Sequence, residues 1–356
     1  MEPVKGYLEK MERGFGFLRA VEKNFQPDPR DPFVPANLIR RHDLREGALI
    51  EGRGEPGDGR KRNLKLAAIE HINGIPLADY ANVALLQDRV SISPDERFVL
   101  TQGPDDILGR ALDLIVPIGK GQRGLIISPP KAGKTTILKH MARSILQNHE
   151  SVAVFVLLVD ERPEEVTDFR RSLEEAHVLW SSSDQSIRQQ MRMTGLAINA
   201  AIRYAEAGLD TVMFIDSLTR MARGFNVTTR SHGRTLSGGL GANAMQVPRR
   251  IFGAARNLEG GGSLTIIATI LVDTGSRMDD VIFQEFKGTG NMDLVLSRKC
   301  AEHRLWPAIN IRQSGTRKEH LLLSADELKE AVEIRRRVSS LDEVDALAAL
   351  LEYLKS

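Results

Sequence analysis

Cysteine is almost absent from this sequence, since Cys300 is the only one in 356 residues. One thiol cannot form an internal disulfide, so a disulfide-held scaffold is excluded and a reducing cytoplasm is the expected compartment. Long apolar runs are also missing, and none approaches the roughly 20 residues that a membrane-spanning helix needs. The first residues, Met1 to Lys5, contain no apolar signal region. We therefore expect a cytoplasmic protein with no membrane partner.

The chain also lacks a strong net charge, because 49 Lys and Arg residues face 47 Asp and Glu residues, giving a formal net charge of +2. A protein that attracts a polyanion through its overall field is excluded, and any nucleic-acid site must be a local patch. Hydrophobic residues make up 42% of the chain and charged residues 27%, which is ordinary for a globular protein. A chain of this length has room for two or three domains.

The stretch Ser128-Pro-Pro-Lys-Ala-Gly-Lys-Thr135 has the spacing of a phosphate-binding loop. In such a loop main-chain N–H groups surround the phosphates, the lysine reaches the β- and γ-phosphates, and the last hydroxyl binds Mg²⁺. Apolar residues over 124–127 predict a buried strand, and their spacing over 135–147 predicts an amphipathic helix. The motif requires this order of strand, loop and helix. Ser128 is a departure, because it stands at the first motif position, where glycine is usual. The alternative is a Gly/Pro loop that ends in Gly-Lys-Thr by chance.

Two acidic residues follow predicted buried strands. Asp216 ends the apolar run 211–216, where a carboxylate lies beside the phosphate loop and can hold Mg²⁺. Glu161 follows the apolar run 152–159. ATP hydrolysis needs a carboxylate that orients and polarises the attacking water, and we assign this role to Glu161. The alternative is that Glu161 is a solvated loop acid or the ion-pair partner of Arg162.

Two downstream arginines are candidates for a finger that completes the site of a neighbouring subunit. Arg317 lies in the polar stretch 314–318, after the strand-like stretch 308–311, and Arg304 is the second candidate. A guanidinium fork can contact a γ-phosphate and stabilise charge in the transition state. The alternative for each is an ordinary surface arginine.

The apolar pattern divides the chain into a small β domain, a linker and an α/β domain. Residues 1–74 alternate short apolar stretches with turn signals, which is typical of a small all-β barrel. Residues 75–110 have no sustained periodicity and are assigned as a linker. Residues 111–356 alternate predicted strands and helices, which indicates a mostly parallel sheet. The predicted strands are 125–127, 152–160, 211–216, 264–273 and 294–296, and the predicted helices include 186–207 and 324–355.

The stretch Gly14-Phe-Gly-Phe-Leu-Arg19 predicts an aromatic platform. Because side chains alternate along a strand, Phe15 and Phe17 project from one face and the glycines leave the other face bare. Two exposed rings near Arg19 form a stacking surface for single-stranded bases, and Phe33 can form its wall. The alternative is that both phenylalanines belong to the core.

Three polar loops lie farther along the chain. Residues 235–241 are too rich in glycine for the interior of an element, and the stretches 273–277 and 286–290 each carry one basic residue. In a ring of α/β domains, loops at strand ends can face a central hole and hold a nucleic-acid backbone. The alternative is that they are ordinary flexible connections.

Together these stretches closely resemble the Rho family of bacterial transcription termination factors. The matching stretches cover nearly the whole chain and are 14–19, 119–124, 129–135, 160–167, 253–256, 273–276, 285–291 and 314–318. The resemblance implies a barrel of the OB-fold, cold-shock-like type followed by an α/β RecA-like P-loop motor domain. It implies a homohexamer that uses ATP and Mg²⁺ to move 5′→3′ along single-stranded, pyrimidine-rich RNA, acting as a helicase that strips nascent RNA from the RNA polymerase elongation complex.

The resemblance also implies roles for individual residues in RNA binding. The primary RNA cleft comprises Gly14, Phe15, Gly16, Phe17, Leu18, Arg19, Asp31, Pro32 and Phe33, with Arg60, Lys61 and Arg62 on its rim. The secondary site, in the hole of the ring, comprises Thr235, Leu236, Ser237, Gly238, Gly239, Leu240, Gly241, Arg277 and Lys287.

A second set of implied roles concerns ATP. The nucleotide pocket comprises Gly119, Lys120, Gly121, Gln122, Arg123, Gly124, Lys131, Ala132, Gly133, Lys134, Thr135, Thr136, Arg162 and Trp306, whose ring packs on adenine. The catalytic residues are Glu161, Lys134, Arg317 and Arg304, and Mg²⁺ is held by Thr135 and Asp216.

Three features depart from the family pattern. The helical segment that usually precedes the barrel is missing, so we expect the barrel to begin near Met1. Arg277 stands where lysine is common, which keeps the charge but changes its geometry. Gly241 stands where many relatives have an acid.

Two other functions share parts of this pattern. A rotary ATPase subunit has a similar core and a small barrel, but no reason to expose Phe15 and Phe17. Stimulation of turnover by RNA separates the two functions. A non-catalytic RNA-binding protein would have no need for an intact set of catalytic and metal-binding side chains, which here are Lys134, Thr135, Glu161 and Asp216.

Overall fold

Two β-sheets organise the chain, a small one near its start and a larger one in the remainder. The computed structural model describes residues 1–57, 63–182, 185–228, 237–241 and 243–355. Over these ranges, no helix combines the length and the apolar character needed to cross a membrane.

The first sheet closes into a small barrel. Its strands are β1 (Glu2–Lys10), β2 (Gly16–Arg19), β3 (Phe33–Val34), β4 (Leu49–Pro56), β5 (Leu64–Ile72) and β6 (Ile75–Pro76). They follow the order β3-β2-β1-β4-β5-β6, and an additional β3–β5 pairing joins five of them into a closed ring. Two short helices, α1 (Ala36–Arg41) and α2 (Leu77–Tyr80), accompany the barrel. Closure leaves fewer free strand edges exposed to other chains.

The barrel is filled by alternate residues of its strands. Val4 and Leu8 of β1, Leu18 of β2 and Ile50 of β4 are buried in one apolar cluster. The residues between them face outward, as the period of two along a strand requires. β4 crosses close to β5 at Gly52, where an added Cβ would lie 2.1 Å from the Ala68 carbonyl oxygen. Glycine there permits the close approach of the two strands.

The second sheet is larger and mostly parallel. The remaining strands of the chain are β7 (Ser91–Ile92), β8 (Arg97–Phe98), β9 (Ile118–Gly119), β10 (Arg123–Ser128), β11 (Ala153–Leu158), β12 (His177–Trp180), β13 (Asp210–Asp216), β14 (Arg256–Leu258), β15 (Ser263–Leu271), β16 (Met292–Val295) and β17 (Gly315–Thr316). Six of them are parallel in the order β12-β11-β13-β15-β10-β16, with β17 antiparallel at the edge. β8 and β9 form a separate two-stranded ribbon.

Helices cover both faces of this sheet. They are α3 (Ile107–Ile115), α4 (Lys134–Asn148), α5 (Pro163–Ser172), α6 (Ile187–Glu206), α7 (Leu218–Thr228), α8 (Gln246–Phe252), α9 (Arg277–Phe286), α10 (Arg298–Glu302), α11 (Ala325–Val338) and α12 (Glu343–Lys355). Successive residues of the central strands enter different cores. Val154 and Val156 lie in one apolar cluster, whereas Phe155 and Leu157 lie in the other. This is the arrangement of a sheet with both faces buried.

Most predicted elements are confirmed. The five predicted strands coincide with β10, β11, β13, β15 and β16 to within two residues at each end. The predicted helix 186–207 is α6, and the Ser186 hydroxyl caps its first turn together with the Gln189 side chain. Local signals sufficed here because each strand is an apolar run and α6 begins at a capping box.

Two expectations about the α/β part of the chain were wrong in detail. The strand-like stretch 308–311 forms no strand, and only Ile309 makes a β-bridge, to Leu296. The tail 324–355 is two helices, α11 and α12, because the helical spacing is interrupted between Val338 and Glu343. Residue 110, where the predicted linker ends, lies within α3, and the domain boundaries stay a prediction. Asp106 caps this helix by accepting a hydrogen bond from the Gly109 N–H at 2.9 Å.

The barrel packs directly on α6. Gly47, at φ +81°, approaches this helix so closely that an added Cβ would lie 2.5 Å from the Ala200 main-chain nitrogen. The hydroxyl groups of Tyr7 and Tyr204 are 3.0 Å apart. These contacts place the barrel at a defined position over the sheet that carries the phosphate loop.

Candidate nucleotide site and nucleic-acid interface

The phosphate loop turns tightly between β10 and α4. Lys131 has φ +64° and Gly133, which caps α4, has φ +86°. A left-handed turn followed at once by a helix N-terminus is the geometry of an anion-binding nest. Ser128 ends β10, is buried, and donates a hydrogen bond to the Pro129 carbonyl oxygen at 2.9 Å. Its φ is not positive, so the serine is accommodated without strain.

Lys134 begins α4 and reaches the end of the neighbouring strands. Its Nζ lies 2.5 Å from both carboxylate oxygens of Asp216, the last residue of β13. Asp216 is buried, and its Oδ1 also accepts a hydrogen bond from the Thr269 hydroxyl at 2.8 Å. The predicted lysine and acid therefore lie in contact, and Thr269 of β15 fixes the carboxylate between them.

Glu161 lies beside this pair with only 3% of its surface exposed. Its Oε2 is 3.9 Å from the Lys134 Nζ, and its Oε1 is 3.3 Å from a guanidinium nitrogen of Arg220. Oε2 is buried without a hydrogen-bond partner among the described residues. Burial, and then the Asp216 carboxylate, raise the pKa of Glu161 to about 6, while Lys134 and Arg220 act in the opposite direction. A buried carboxylate with one free oxygen is suited to accept a proton near neutral pH.

The backbone around Glu161 is held by groups that sequence reasoning missed. Ser181 is fully buried, its hydroxyl accepts a hydrogen bond from the Asp160 N–H at 3.0 Å, and its carbonyl accepts one from the Glu161 N–H at 3.1 Å. Arg220, one turn into α7, also donates to the Asp160 carbonyl oxygen. A signal for Arg220 was present, since it follows Asp216 by four residues at the start of a helix. Nothing in the sequence near Ser181 indicated its role.

Residues that fit Mg²⁺ are present at this point. Thr135 offers a hydroxyl in the first turn of α4, and Asp216 and Glu161 offer carboxylate oxygens. Mg²⁺ prefers oxygen ligands and is usually held by one or two carboxylates together with substrate phosphates. The donor set and the unpartnered Glu161 Oε2 are compatible with a metal bound together with a nucleotide.

An aromatic surface lies next to the phosphate loop. The Trp306 ring is 45% exposed and passes so close to Gly133 that an added Cβ there would lie 2.9 Å from the ring. Arg304, exposed and at φ +59°, is two residues away. The predicted residues Lys131, Thr136 and Arg162 are exposed at the same edge of the sheet, whereas Ala132 is buried.

The other predicted nucleotide residues lie at the opposite edge of the sheet. Residues 119–124 lead into the amino end of β10, and this six-residue strand spans roughly 17 Å at 3.3 Å per residue. Arg317 also lies at the amino edge, because its N–H donates to the Asn291 carbonyl oxygen at 2.8 Å and the Asn291 N–H donates to Arg123 at 2.9 Å. The structure does not bring Arg317 or residues 119–124 to the phosphate loop of the same chain.

Three phenylalanines form a cluster on the barrel. The ring centroids of Phe15 and Phe17 are 5.8 Å apart, and those of Phe15 and Phe33 are 5.5 Å apart. All three rings are half-exposed and lie outside the apolar core of the barrel. β2 begins at Gly16, so Phe15 precedes the strand instead of belonging to it. Half-exposed adjacent rings are the surface on which single-stranded bases stack.

Arg19 lies beneath this cluster and is not a free surface cation. Only 5% of its surface is exposed, and its guanidinium is 4.8 Å from the centroid of the Phe17 ring. Its nitrogens lie 2.5 Å from carboxylate oxygens of Glu9 and Asp31. Arg19 therefore orders the cleft from below, since a buried arginine needs its paired carboxylates.

The other described residues of the predicted primary cleft differ in how far they are exposed. Gly14 is exposed at φ +85°, Pro32 is half-buried, and the Leu18 side chain belongs to the barrel core. Arg60, Lys61 and Arg62 lie outside the described residues, as do Thr235 and Leu236 of the predicted secondary site.

The structure brings part of the predicted secondary site together. An added Cβ on Gly238 would lie 2.9 Å from the Arg277 carbonyl oxygen, so these two loops are in contact. Asn226 of α7 fixes the same loop through hydrogen bonds to Gly239 and Gly241. The Leu240 side chain is buried, and the backbone of Ser237 opens the turn 237–239.

Lys287 lies apart from this group. Arg277 is the first residue of α9 and Lys287 follows its last, so ten residues of helix, about 15 Å, separate them. Lys287 lies close to the Arg317 edge instead, because the Arg317 guanidinium is 3.5 Å from the carbonyl oxygen of the next residue, Gly288.

Comparison with known proteins decides the family. A profile of the nucleotide-binding domain of the ATP synthase alpha/beta family matches residues 109–316, and a profile of the RNA-binding domain of Rho termination factor matches residues 4–77. Transcription termination factor Rho of Haemophilus influenzae is 46% identical over 352 residues, which cover 98% of this chain and 84% of that protein. The chain belongs to the Rho family. The Rho protein of Aquifex aeolicus is 45% identical over 359 residues, covering 99% of this chain and 81% of the relative.

Solved structures agree with the fold of this Rho family member. An ATPase from the type III secretion system of pathogenic bacteria superimposes with a TM-score of 0.62 at 22% identity, over 75% of this chain and 81% of the other. The assembled ATPase EscN from enteropathogenic E. coli gives a TM-score of 0.61 at 23% identity, over 72% and 61% of the two chains. The predicted fold class, a small OB-like barrel followed by a RecA-like ATPase domain, is confirmed.

Proposed function

We propose that this Rho family member is an RNA-dependent ATPase and helicase that moves 5′→3′ along single-stranded RNA and releases nascent transcripts from RNA polymerase in the cytoplasm. One observation carries the proposal. A phosphate loop with the buried Glu161 beside it occurs in the same chain as a half-exposed cluster of rings on a barrel that matches an RNA-binding profile. Family membership supports the transcriptional task.

The experiment that tests this function is ATP turnover with and without pyrimidine-rich single-stranded RNA. Strong stimulation by RNA, and none by duplex DNA, is expected. Turnover that is indifferent to RNA would contradict the proposal and favour a rotary ATPase subunit. RNA binding with no turnover would favour a non-catalytic RNA-binding protein.

At the phosphate loop, each side chain has a separate task in the proposed hydrolysis. Lys134 exchanges its contact with Asp216 for the β- and γ-phosphate oxygens, and Thr135 and Asp216 then hold Mg²⁺. The metal, when bound, offsets the negative charge that develops on the phosphates. Glu161 orients a water and accepts its proton, while Thr269 and Ser181 keep the two acids in place. Phosphoryl transfer needs this positioning more than it needs covalent chemistry.

The proposed active unit is a ring of identical subunits, a homohexamer. Arg317 and residues 119–124 cannot reach the phosphate loop of their own chain, because β10 separates the two edges. A head-to-tail ring brings the amino edge of one subunit to the carboxyl edge of the next. We assign Arg317 as the finger that acts across this interface, and place Arg304 and Trp306 at the pocket of their own chain.

RNA is proposed to bind at two places. The cluster of Phe15, Phe17 and Phe33 captures bases by stacking, and the contacting loops of Gly238 and Arg277 hold the backbone in the hole of the ring. Lys287 is assigned to the interface near Arg317, since its distance from Arg277 separates it from these loops.

Replacing Phe17 with alanine is expected to weaken binding of a short oligocytidine by about 1–3 kcal/mol, the range for one stacked base. Fluorescence anisotropy measures the change in dissociation constant. Phe17→Tyr keeps a ring and is the matched control, which we expect to bind nearly as the parent chain does. Unchanged binding by Phe17→Ala, or unfolding of the barrel in place of weakened binding, would contradict a stacking role.

The pH profile of turnover is expected to report Glu161. Burial raises the pKa of this carboxyl to about 6, and only the ionised form accepts a proton. Turnover should therefore fall as the pH drops through 6, to about a tenth one unit below that pKa. The pH dependence of kcat/KM between pH 5 and 8 measures it, because this ratio reports the ionisation of the free enzyme. The residual turnover of Glu161→Gln serves as control and should lack this step.

A further inference from the structure

The turn that follows β2, residues 20–25, contacts the ATPase domain at two points. Asn24, buried and at φ +55°, donates from its side-chain amide to the Trp180 carbonyl oxygen at 2.7 Å and accepts from the Trp180 N–H at 2.8 Å. The Phe25 carbonyl oxygen accepts a hydrogen bond from the Arg192 guanidinium at 2.8 Å. The turn thus contacts Trp180, the last residue of β12, and Arg192, which lies in the second turn of α6.

The same turn is attached to the ring cluster on the barrel. Arg19, which lies under Phe17, is the residue immediately before the turn and shares the Glu9 carboxylate with Arg192. The Arg192 guanidinium nitrogen is 2.8 Å from the Glu9 Oε2, and the Arg19 Nε is 2.5 Å from the same oxygen. An unbroken row of contacts therefore leads from the Phe17 ring through two buried charges to α6.

The residue after Trp180 is the group that positions Glu161. Ser181 follows Trp180 directly and binds the main chain of Asp160 and Glu161. Gln190, one turn into α6, donates to the Ser182 carbonyl oxygen at 2.9 Å, which ties the helix to the same loop. A shift of the turn relative to the sheet would reach the Glu161 backbone through two intervening residues, Trp180 and Ser181.

The packing differs between the two ends of α6. An open cavity of about 700 Å³ lies beside the turn and is lined by Val21, Glu22 and Trp180 among others. At the far end of the helix the barrel is fixed by Tyr204 and by the Arg45–Glu206 ion pair at 3.0 Å. α6 has 20 residues and is about 30 Å long, so its two ends can respond differently.

We propose that Asn24 and Arg192 are positioning residues that couple occupancy of the ring cluster to the placement of Glu161. This inference rests on the proposed function, because it requires RNA at the cluster and hydrolysis at Glu161. Bases that stack on Phe17 press that ring against Arg19 and the turn behind it. The turn then fixes Trp180 and, through Ser181, the backbone of Glu161. Two sites that bias one element in this way are coupled reciprocally.

The test compares two variants with a matched control in the full-length chain. Asn24→Gly removes the amide but accepts the positive φ, and Arg192→Met removes the charge but keeps an unbranched side chain. Both remove buried contacts and are expected to lower the melting temperature by a few degrees. Below that temperature both should keep RNA-free turnover within about twofold of the parent chain and lose on the order of tenfold in stimulation by a long pyrimidine-rich RNA. Arg192→Lys should restore part of the stimulation. Arg45→Met removes a barrel contact at the far end of α6 and should be stimulated normally.

A binding measurement separates coupling from simple damage. In the parent chain and in Arg45→Met, a non-hydrolysable ATP analogue should change the affinity for a short oligocytidine, whereas in Asn24→Gly and Arg192→Met this change should vanish. Stimulation and linkage that persist in both variants would overturn the coupling and leave the proposed function standing. A parent chain whose turnover ignores RNA would instead overturn the proposed function.

Discussion

Replacing Glu161 with glutamine is expected to lower ATP turnover by about 10²–10⁴-fold, the range that a positioned general base contributes. Glutamine has nearly the same shape but cannot accept the proton of the attacking water. Lys134, Thr135 and Asp216 are unchanged, so nucleotide binding should persist, and so should binding of RNA to the barrel. Steady-state phosphate release measures turnover, and fluorescent nucleotide titration measures binding.

A matched control lies three residues away. Glu164 is exposed in the first turn of α5, and Glu164→Gln changes the charge of the chain by the same amount at a similar place. This variant should retain near-normal turnover. If Glu161→Gln hydrolysed ATP at the rate of Glu164→Gln, the general base would have to be a different residue.

The placement of Glu161 shows how far local sequence signals reach. The phosphate loop, its two flanking elements and the acids at two strand ends were all predictable, because each depends on residues that are close in sequence. Ser181 and Thr269 were not predictable. They belong to β12–α6 and β15, and reach Glu161 and Asp216 only because the strand order β12-β11-β13-β15 places those elements side by side.

The burial of a charged side chain was a second feature that could not be predicted from the sequence. Arg19 looked like a cation available to RNA, since it stands beside two phenylalanines. In the folded chain it is buried between Glu9 and Asp31, one of which is ten residues before it and the other twelve after it. The burial of a charge depends on which partners the barrel closure brings together, and the net charge of a stretch does not contain this information.

The separation of two predicted nucleotide-binding stretches onto opposite edges of the sheet was a third feature that could not be predicted from the sequence. Residues 119–124 and the phosphate loop are neighbours in sequence, and the family resemblance implied that both belong to one nucleotide pocket. β10 runs between them, so a single chain places them roughly 17 Å apart. Residues 119–124 and the phosphate loop are therefore expected to meet at an interface between two copies of the chain, and not within one chain.

Replacing Arg317 with alanine should reduce turnover by about 10³–10⁵-fold, as removal of an arginine finger does in other ATP- and GTP-hydrolysing enzymes. The guanidinium is exposed at the amino edge and donates one long hydrogen bond, to the Gly288 carbonyl oxygen at 3.5 Å, so its loss should leave the fold intact. Arg312→Ala, at another exposed arginine in the preceding turn, is the control and should turn over normally. Equal activity of the two variants would remove Arg317 from the catalytic machinery.

Mixing two inactive variants tests whether Arg317 acts across an interface. Lys134→Ala destroys a subunit's own phosphate site but keeps its Arg317, and Arg317→Ala does the reverse. In a head-to-tail ring assembled from equal amounts, roughly a quarter of the interfaces combine an intact phosphate site with an intact arginine. Turnover well above that of either variant alone is therefore expected after the two are mixed and reassembled. An arginine serving its own chain would give no recovery at any ratio, because every subunit would lack one of the two groups.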